Sequence, residues 1–243
     1  KRGAKVVITA RRKNELEKVK LECGNADVHV HPFDLSDLDN LDEFSNSVQS
    51  DVGNIDILIN NAGVSAWSSI NETQFKVYED VMKLDFLSVV KLTKSVLPNM
   101  IKRNEGQIVT NTSLLGKFAI KKRSVYASAK HALHGFIDAL RAEVYQYNIK
   151  VNTVAPGFVN TEVGMKALTE DGTPYGANDR GHESQGMDVN KAADMIIYAI
   201  EKNKRETYIV PRLGFPRVAL MISRFLPGLA AIIARRYNEA NNK

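Results

Sequence analysis

Short runs of β-branched and aliphatic residues recur along the chain: KVVIT (residues 5–9), DVHVH (27–31), DILIN (56–60), QIVTN (107–111), IKVNTV (149–154) and TYIV (207–210). Each has the length and composition of a strand. Between them lie longer stretches whose apolar residues return every three or four positions: NELEKVKLE (14–22), LDEFSNSVQSDV (41–52), 74–100, 126–147 and NKAADMIIYAIEKN (190–203). That spacing predicts helices with one face turned to a core. A helix between successive strands carries the chain back along the sheet, so the strands pair in parallel through right-handed crossovers. The expected fold is a doubly wound, Rossmann-like α/β sheet formed by residues 1–213.

Two segments break the alternation. Residues 162–189 are polar, contain glycine and are too long for an ordinary connection, which predicts either a mobile loop over the substrate or a plainly disordered stretch. Residues 214–236 are apolar but interrupted by Arg224 and by Pro227-Gly228. A membrane span wants about 20 uninterrupted apolar residues, so two short amphipathic pieces at a membrane surface suit this stretch better. Covering the protein's own pocket, or a contact in a homodimer, is the other use of such a tail, which runs over 214–243.

Composition narrows the function. The 243 residues are 44% hydrophobic, enough for one core. The single cysteine, Cys23, excludes a disulfide framework and points to a reducing compartment. The net charge of +5 is scattered along the length rather than gathered with aromatics into a stripe, so nucleic acid is not an expected partner. No metal site is expected.

In a doubly wound sheet, ligands sit beyond the carboxyl ends of the strands. Four clusters fall there: Asn60-Asn61-Ala62-Gly63, Ser113 with Gly116, Tyr126 with Lys130, and Pro156-Gly157. Tyr126 and Lys130 are one helical turn apart on a shared face. A positive charge about 4 Å from a phenol favours the phenolate by on the order of 4 kcal/mol at an effective dielectric of 20, which turns a weak acid–base group into a useful one. His131 and His134 read as helix-face or core histidines.

These four clusters, in this order, resemble the short-chain dehydrogenase/reductase family across essentially the whole chain. The tail most resembles the family's membrane-associated branch, which includes dehydrogenase/reductase family member seven and 11-beta-hydroxysteroid dehydrogenase. The resemblance implies an oxidoreductase interconverting a ketone and a secondary alcohol, with a hydrophobic, lipid- or steroid-like substrate. It implies that Tyr126 exchanges the proton, Ser113 bonds the carbonyl oxygen, and Lys130 tunes Tyr126 and holds the nicotinamide ribose. It assigns the cofactor to Arg11, Arg12, Asp34, Leu35, Asn61, Ala62, Gly63, Val159 and Thr161. Arg11 follows the first strand, and Ala10 stands where an acid would select NAD, so NADP(H) is expected. The branch implies association with the endoplasmic reticulum or peroxisome, with a cytoplasmic enzyme as the alternative.

The sequence departs from the family pattern twice. Asp85 occupies the place of a helix asparagine that anchors a water in the proton relay, and its charge would partly cancel Lys130. The glycine-rich turn and its strand, expected upstream of Lys1, are absent, so the sheet is expected to lack its first strand and the chain to bind NADP(H) poorly. An inactive homologue acting as a binding protein is the alternative function.

Overall fold

The computed structural model describes residues 3–176, 186–211 and 214–236. Strands and helices alternate as the pattern predicts: β1 (Val6–Ile8), α1 (Lys13–Glu22), β2 (Val28–Val30), α2 (Leu41–Val52), β3 (Ile57–Asn60), α3 (Phe75–Met82), α4 (Ser88–Arg103), β4 (Gly106–Asn111), α5 (Ser124–Glu143), β5 (Ile149–Pro156), α6 (Val189–Glu201), β6 (Glu206–Ile209), α7 (Phe215–Phe225) and α8 (Pro227–Arg236). All strand pairings are parallel.

The strands do not form one continuous sheet. β3, β4, β5 and β6 pair in that order, while β1 and β2 form a separate pair. β3 is therefore an edge, and Ile57 and Ile59 on it are 47% and 51% exposed, where a central parallel strand would bury both faces. Helices join the two pieces. Lys91 of α4 donates to the Leu38 carbonyl and pairs with Asp42 at 3.1 Å, and the Ser95 hydroxyl donates to Ser45 at 2.7 Å.

The core lies on both faces of β4 and β5. Side chains alternate along a strand, so Ile108 joins Val89, Val96 and Met100 of α4 and Leu133, Ile137 and Leu140 of α5 on one face. Val109 joins Val154, Ile209 and Ala192 of α6 on the other. Burying each large aliphatic side chain contributes about 1.5–3 kcal/mol.

Two helices differ from the pattern. The predicted helix over 74–100 contains a π-helical turn, Lys83–Leu87, between α3 and α4. The one over 126–147 starts earlier, at Ser124, and ends at Glu143, followed by a 3₁₀ turn at Tyr145–Tyr147. The tail forms α7 and α8 with the break at Leu226, and no described helix is long and apolar enough to cross a membrane. Of the long loop, 162–176 passes beside the segment that follows β3, its Leu168 amide bonding the Ser65 carbonyl at 2.8 Å. The stretch 177–185 lies outside the described residues.

Candidate active site

Strand register sets the geometry. Asn60 pairs opposite Thr110, Asn111 opposite Val154 and Pro156 opposite Ile209, so β3, β4 and β5 end along one rim. Past β4 the Thr112 amide still bonds the Val154 carbonyl at 2.7 Å, which carries Ser113 just beyond the sheet. The Ser113 Oγ accepts the Leu115 amide at 3.1 Å and opens a 3₁₀ turn over Leu114–Gly116. A Cβ on Gly116 would lie 2.6 Å from the His134 ring and 2.8 Å from the Lys130 carbonyl, so only glycine lets α5 dock on this turn. The docking holds Ser113 beside the start of α5.

Ser113, Tyr126, Asn61, Asn111, Val159 and Thr161 consequently line one cavity of about 860 Å³. Lys130 stands behind its wall, 4% exposed, with Nζ 5.4 Å from the centre of the Tyr126 ring. The i, i+4 spacing thus brings the pair together as expected.

Asp85 faces Lys130. The π turn rotates its side chain inward to complete burial, with Oδ2 3.0 Å from Lys130 Nζ. Its Oδ1 accepts the Val64 amide at 2.8 Å. Gly63 closes the pocket around this pair, since a Cβ there would meet Asp85 Oδ2 at 2.9 Å and Lys130 Nζ at 3.2 Å. Burial pushes the Asp85 carboxyl up, and the Lys130 ammonium and the Val64 N–H only partly offset it. The same burial pulls on Lys130 in the opposite sense, but the Asp85 carboxylate and then the Tyr126 phenol outweigh it and raise Lys130, so its ammonium persists at neutral pH. Asp85 is therefore a counter-ion as well as an acceptor.

The remaining expected cofactor residues are not on the cavity wall. Arg11 and Arg12 are exposed after β1, and Leu35 is buried. Asp34 caps a turn, its Oδ1 accepting the Ser36 amide at 2.9 Å and hydroxyl at 2.7 Å. Burial works against the Asp34 carboxylate, but these bonds and the Arg11 charge hold the carboxyl below its usual range. Ala62 links Asn61 to Gly63 without lining the cavity itself. The two helix histidines are structural: His131 Nδ1 is 2.8 Å from the Ala127 carbonyl, and burial, then Lys117, push His134 down to about 4.

Sequence reasoning missed one part of the wall and left a second, the tail, with covering the pocket as one of several uses. Arg123, 7% exposed, donates to the Ser65 hydroxyl at 2.8 Å and the Ala66 carbonyl at 3.2 Å and stacks 3.9 Å over Trp67. Within KKRS it reads as one more solvated cation. The roof comes from the tail: Phe215, Ala219 and Ile222 of α7 and Ala230 and Ile233 of α8 close the cavity from above. The inner face of the tail covers the pocket, as its broken apolar pattern allows.

The residues fit a nicotinamide at this rim. Asn111 donates to the Asn61 side chain at 2.8 Å, and its own Oδ1 is buried at the cavity wall without a partner, an acceptor left for a bound amide. A phenol, a hydroxyl and a buried ammonium grouped beside an apolar cavity can pass a proton to or from a carbonyl oxygen while stabilising its developing charge.

Comparison with known proteins agrees with this geometry. The short chain dehydrogenase family model matches residues 1–172. A dehydrogenase/reductase SDR family protein 7-like of Anopheles gambiae is 39% identical over 99% of this chain and 77% of its own length. Dehydrogenase/reductase SDR family member 7B of Mus musculus is 35% identical over 93% of this chain and 71% of its own. A short-chain dehydrogenase structure from Streptomyces avermitilis superposes with a TM-score of 0.79 at 26% identity, covering 99% of this chain and 89% of that one. With its parallel Rossmann-like sheet and these matches, the chain belongs to the short-chain dehydrogenase family, whose members are nicotinamide-dependent oxidoreductases.

Proposed function

We propose that this chain is an NADP(H)-dependent oxidoreductase that interconverts a hydrophobic ketone, lipid- or steroid-like in character, and its secondary alcohol. The observation that carries the reading is the shared cavity wall of Ser113 and Tyr126, with Lys130 buried behind the Tyr126 ring. Nicotinamide, when bound, supplies or takes up the hydride at the carbonyl carbon. In reduction the Tyr126 phenol donates its proton to the substrate oxygen, and in oxidation it takes that proton back. The Ser113 hydroxyl donates a hydrogen bond to the same oxygen as charge gathers on it. Lys130 holds positive charge beside the ring, and the family resemblance assigns it the nicotinamide ribose as well. Asn61, Val159 and Thr161 border the cofactor, and Gly63 leaves room for Asp85 and Lys130.

The apolar roof supports a hydrophobic substrate: α7 and α8 present Phe215, Ile222 and Ile233 to the cavity. NADP(H) rather than NAD(H) rests on Arg11 and Arg12 after β1, with the Arg11 charge acting on Asp34 and with Leu35 buried next to it in the chain. The outward face of the same helices exposes Val218, Met221, Phe225, Leu226, Leu229 and Ile232, which suits a membrane surface at the endoplasmic reticulum or peroxisome; a homodimer in the cytoplasm would cover it equally.

A second reading, an inactive homologue that binds without turning over, draws on one observation: Asp85 already engages Lys130 at 3.0 Å. Tyr126→Phe decides between them. On the proposed mechanism it abolishes nearly all NADPH-dependent reduction across a panel of hydrophobic ketones and leaves the unfolding transition in place, because only a hydroxyl is lost. Unchanged turnover in that variant rejects the mechanism, and cofactor binding without any turnover by the unmodified chain establishes the inactive reading.

A further inference from the structure

β2 carries a second cluster of chemistry-bearing side chains, apart from the cavity. His29 and the following His31 are two positions apart and so project on one face of the strand. Asp51, in the last turn of α2, reaches both. His31 Nε2 lies 2.9 Å and His29 Nδ1 3.3 Å from the same carboxylate oxygen, Asp51 Oδ2. On its far side His29 Nε2 lies 3.1 Å from Asp27 Oδ1. All three potential ligand atoms of His29, His31 and Asp51 fall within 4.8 Å of one another.

The two carboxylates around His29 set up a definite problem. A neutral imidazole has one N–H and one lone pair, so it can donate to Asp27 or to Asp51 but not to both. With the Nε2 proton held by Asp27, the Nδ1 lone pair points at a carboxylate oxygen, and a metal ion between the two turns that repulsion into a pair of ligand bonds. The arrangement has the parts of a metal centre: two imidazoles, one carboxylate and, in Asp27, an outer acceptor that fixes the tautomer and orientation of one ligand. Zinc bound at about 2.0–2.1 Å from each donor in tetrahedral geometry separates its ligands by about 3.3 Å. His29 Nδ1 and Asp51 Oδ2 already stand at 3.3 Å, His31 Nε2 and Asp51 Oδ2 at 2.9 Å, and the two imidazole nitrogens lie within 4.8 Å of each other. The side chains of His29, His31 and Asp51 are 29%, 20% and 50% exposed, which leaves the fourth position open to water and gives the ion a path in.

We infer that His29, His31 and Asp51 form a binding site for a divalent transition-metal ion of zinc type, completed by water and steadied by Asp27. Imidazole with one carboxylate favours zinc, nickel or copper over magnesium or calcium, which prefer all-oxygen sites. The ion ties β2 to the end of α2. It stabilises the layer that carries Arg11 and Asp34, without entering the cavity that holds Tyr126.

The test uses the full chain, stripped with a chelator and titrated with zinc chloride in a calorimeter, alongside thermal unfolding with and without zinc. One zinc ion binds per chain, and zinc raises the unfolding midpoint. His31→Gln and Asp51→Asn each weaken binding tenfold or more and remove the zinc-dependent rise. Both keep a polar, half-exposed side chain and the apo fold, and either variant alone suffices as the test. Cys23→Ser, which removes the exposed thiol as a rival ligand, leaves binding unchanged. Cobalt substituted for zinc shows the intense visible absorption of a tetrahedral centre. Zinc binding of equal stoichiometry and affinity in both ligand variants overturns the inference. So does the absence of any midpoint shift in excess zinc, or loss of binding in Cys23→Ser alone.

Discussion

Replacing Asp85 by asparagine separates two effects that the buried pair combines. The substitution is isosteric and keeps an oxygen to accept the Val64 amide, but it removes the negative charge 3.0 Å from Lys130. At that distance the attraction is about 5 kcal/mol at an effective dielectric of 20, set against the desolvation of both groups. Removing one member of a buried pair leaves the other charge stranded, at a cost of about 3–5 kcal/mol, a large part of the roughly 5–15 kcal/mol that holds a domain together. Catalysis should move the other way. The separations of 3.0 Å from Asp85 to Lys130 and 5.4 Å from Lys130 to the Tyr126 ring centre place the carboxylate within about 8 Å of the ring. At the same dielectric a carboxylate there opposes a phenolate by about 2 kcal/mol. Asp85→Asn is therefore expected to unfold at markedly lower urea with an unchanged slope and, as long as Lys130 keeps its proton, to turn over several-fold faster in the oxidative direction at neutral pH. Urea titration and initial-rate kinetics at saturating cofactor measure the two. A folded variant of unaltered stability shows that the pair does not anchor the π turn to α5. A folded variant whose turnover falls, with cofactor affinity intact, refutes the charge-cancelling argument and makes the carboxylate a positive requirement.

Three further outcomes are expected. Arg11→Asp replaces a phosphate partner by a repelling charge, so the preference for NADPH over NADH drops roughly ten- to hundredfold in paired titrations; an unchanged ratio removes Arg11 from cofactor selection. Deleting 214–243 abolishes flotation of the protein with anionic liposomes and opens the cavity to solvent, whereas equal flotation of both forms takes α7 and α8 out of any membrane contact. His134 is held neutral, its value lowered from 6.5 to about 4, so the unfolded chain takes up its proton first as pH falls. Its contribution is complete above pH 6.5 and is lost between 6.5 and about 4; at a partly solvated ring this is about 1–2 kcal/mol, read as the difference between wild type and His134→Gln in unfolding at the two pH extremes.

The strands were legible because parallel strands covered on both faces read as unbroken apolar runs, as in QIVTN, all but the last residue of which is buried. Ser113, Tyr126 and Lys130 were legible because chemistry at strand ends and at one helical turn is a matter of local spacing. The gap between the β1–β2 pair and the β3–β6 sheet answers to the first strand that the sequence was expected to lack. What escaped was non-local. Asp85 was placed in the right helix, but the π turn that aims it at Lys130 arises from packing against Gly63 and α5, not from any breaker in KLDFL. Arg123 looked like surface charge because its partners, Ser65, Ala66 and Trp67, come from a loop far away in the chain. His29 and His31 passed as ordinary strand residues until α2 brought Asp51 over them.

The divided sheet bears on how the molecule opens. No ladder bond among the described residues crosses from the β1–β2 pair to the four-stranded sheet, and the two are held by helix contacts and side-chain bonds such as Lys91 to Leu38 and Asp42. The smaller layer can then detach while the core around Ile108 and Val109 stays closed, an excursion of lower free energy than global unfolding. Backbone amides of Val6–Ile8 and Val28–Val30 should exchange with solvent deuterium ahead of those in Gly106–Asn111 and Ile149–Pro156. Arg11 and Asp34 ride on the layer that opens; Ser113, Tyr126 and Lys130 belong to the one that does not. A ligand long enough to touch both would oppose that opening by the contacts it loses when the smaller layer leaves, so the slowing of exchange in β1 and β2 would read that share of its affinity.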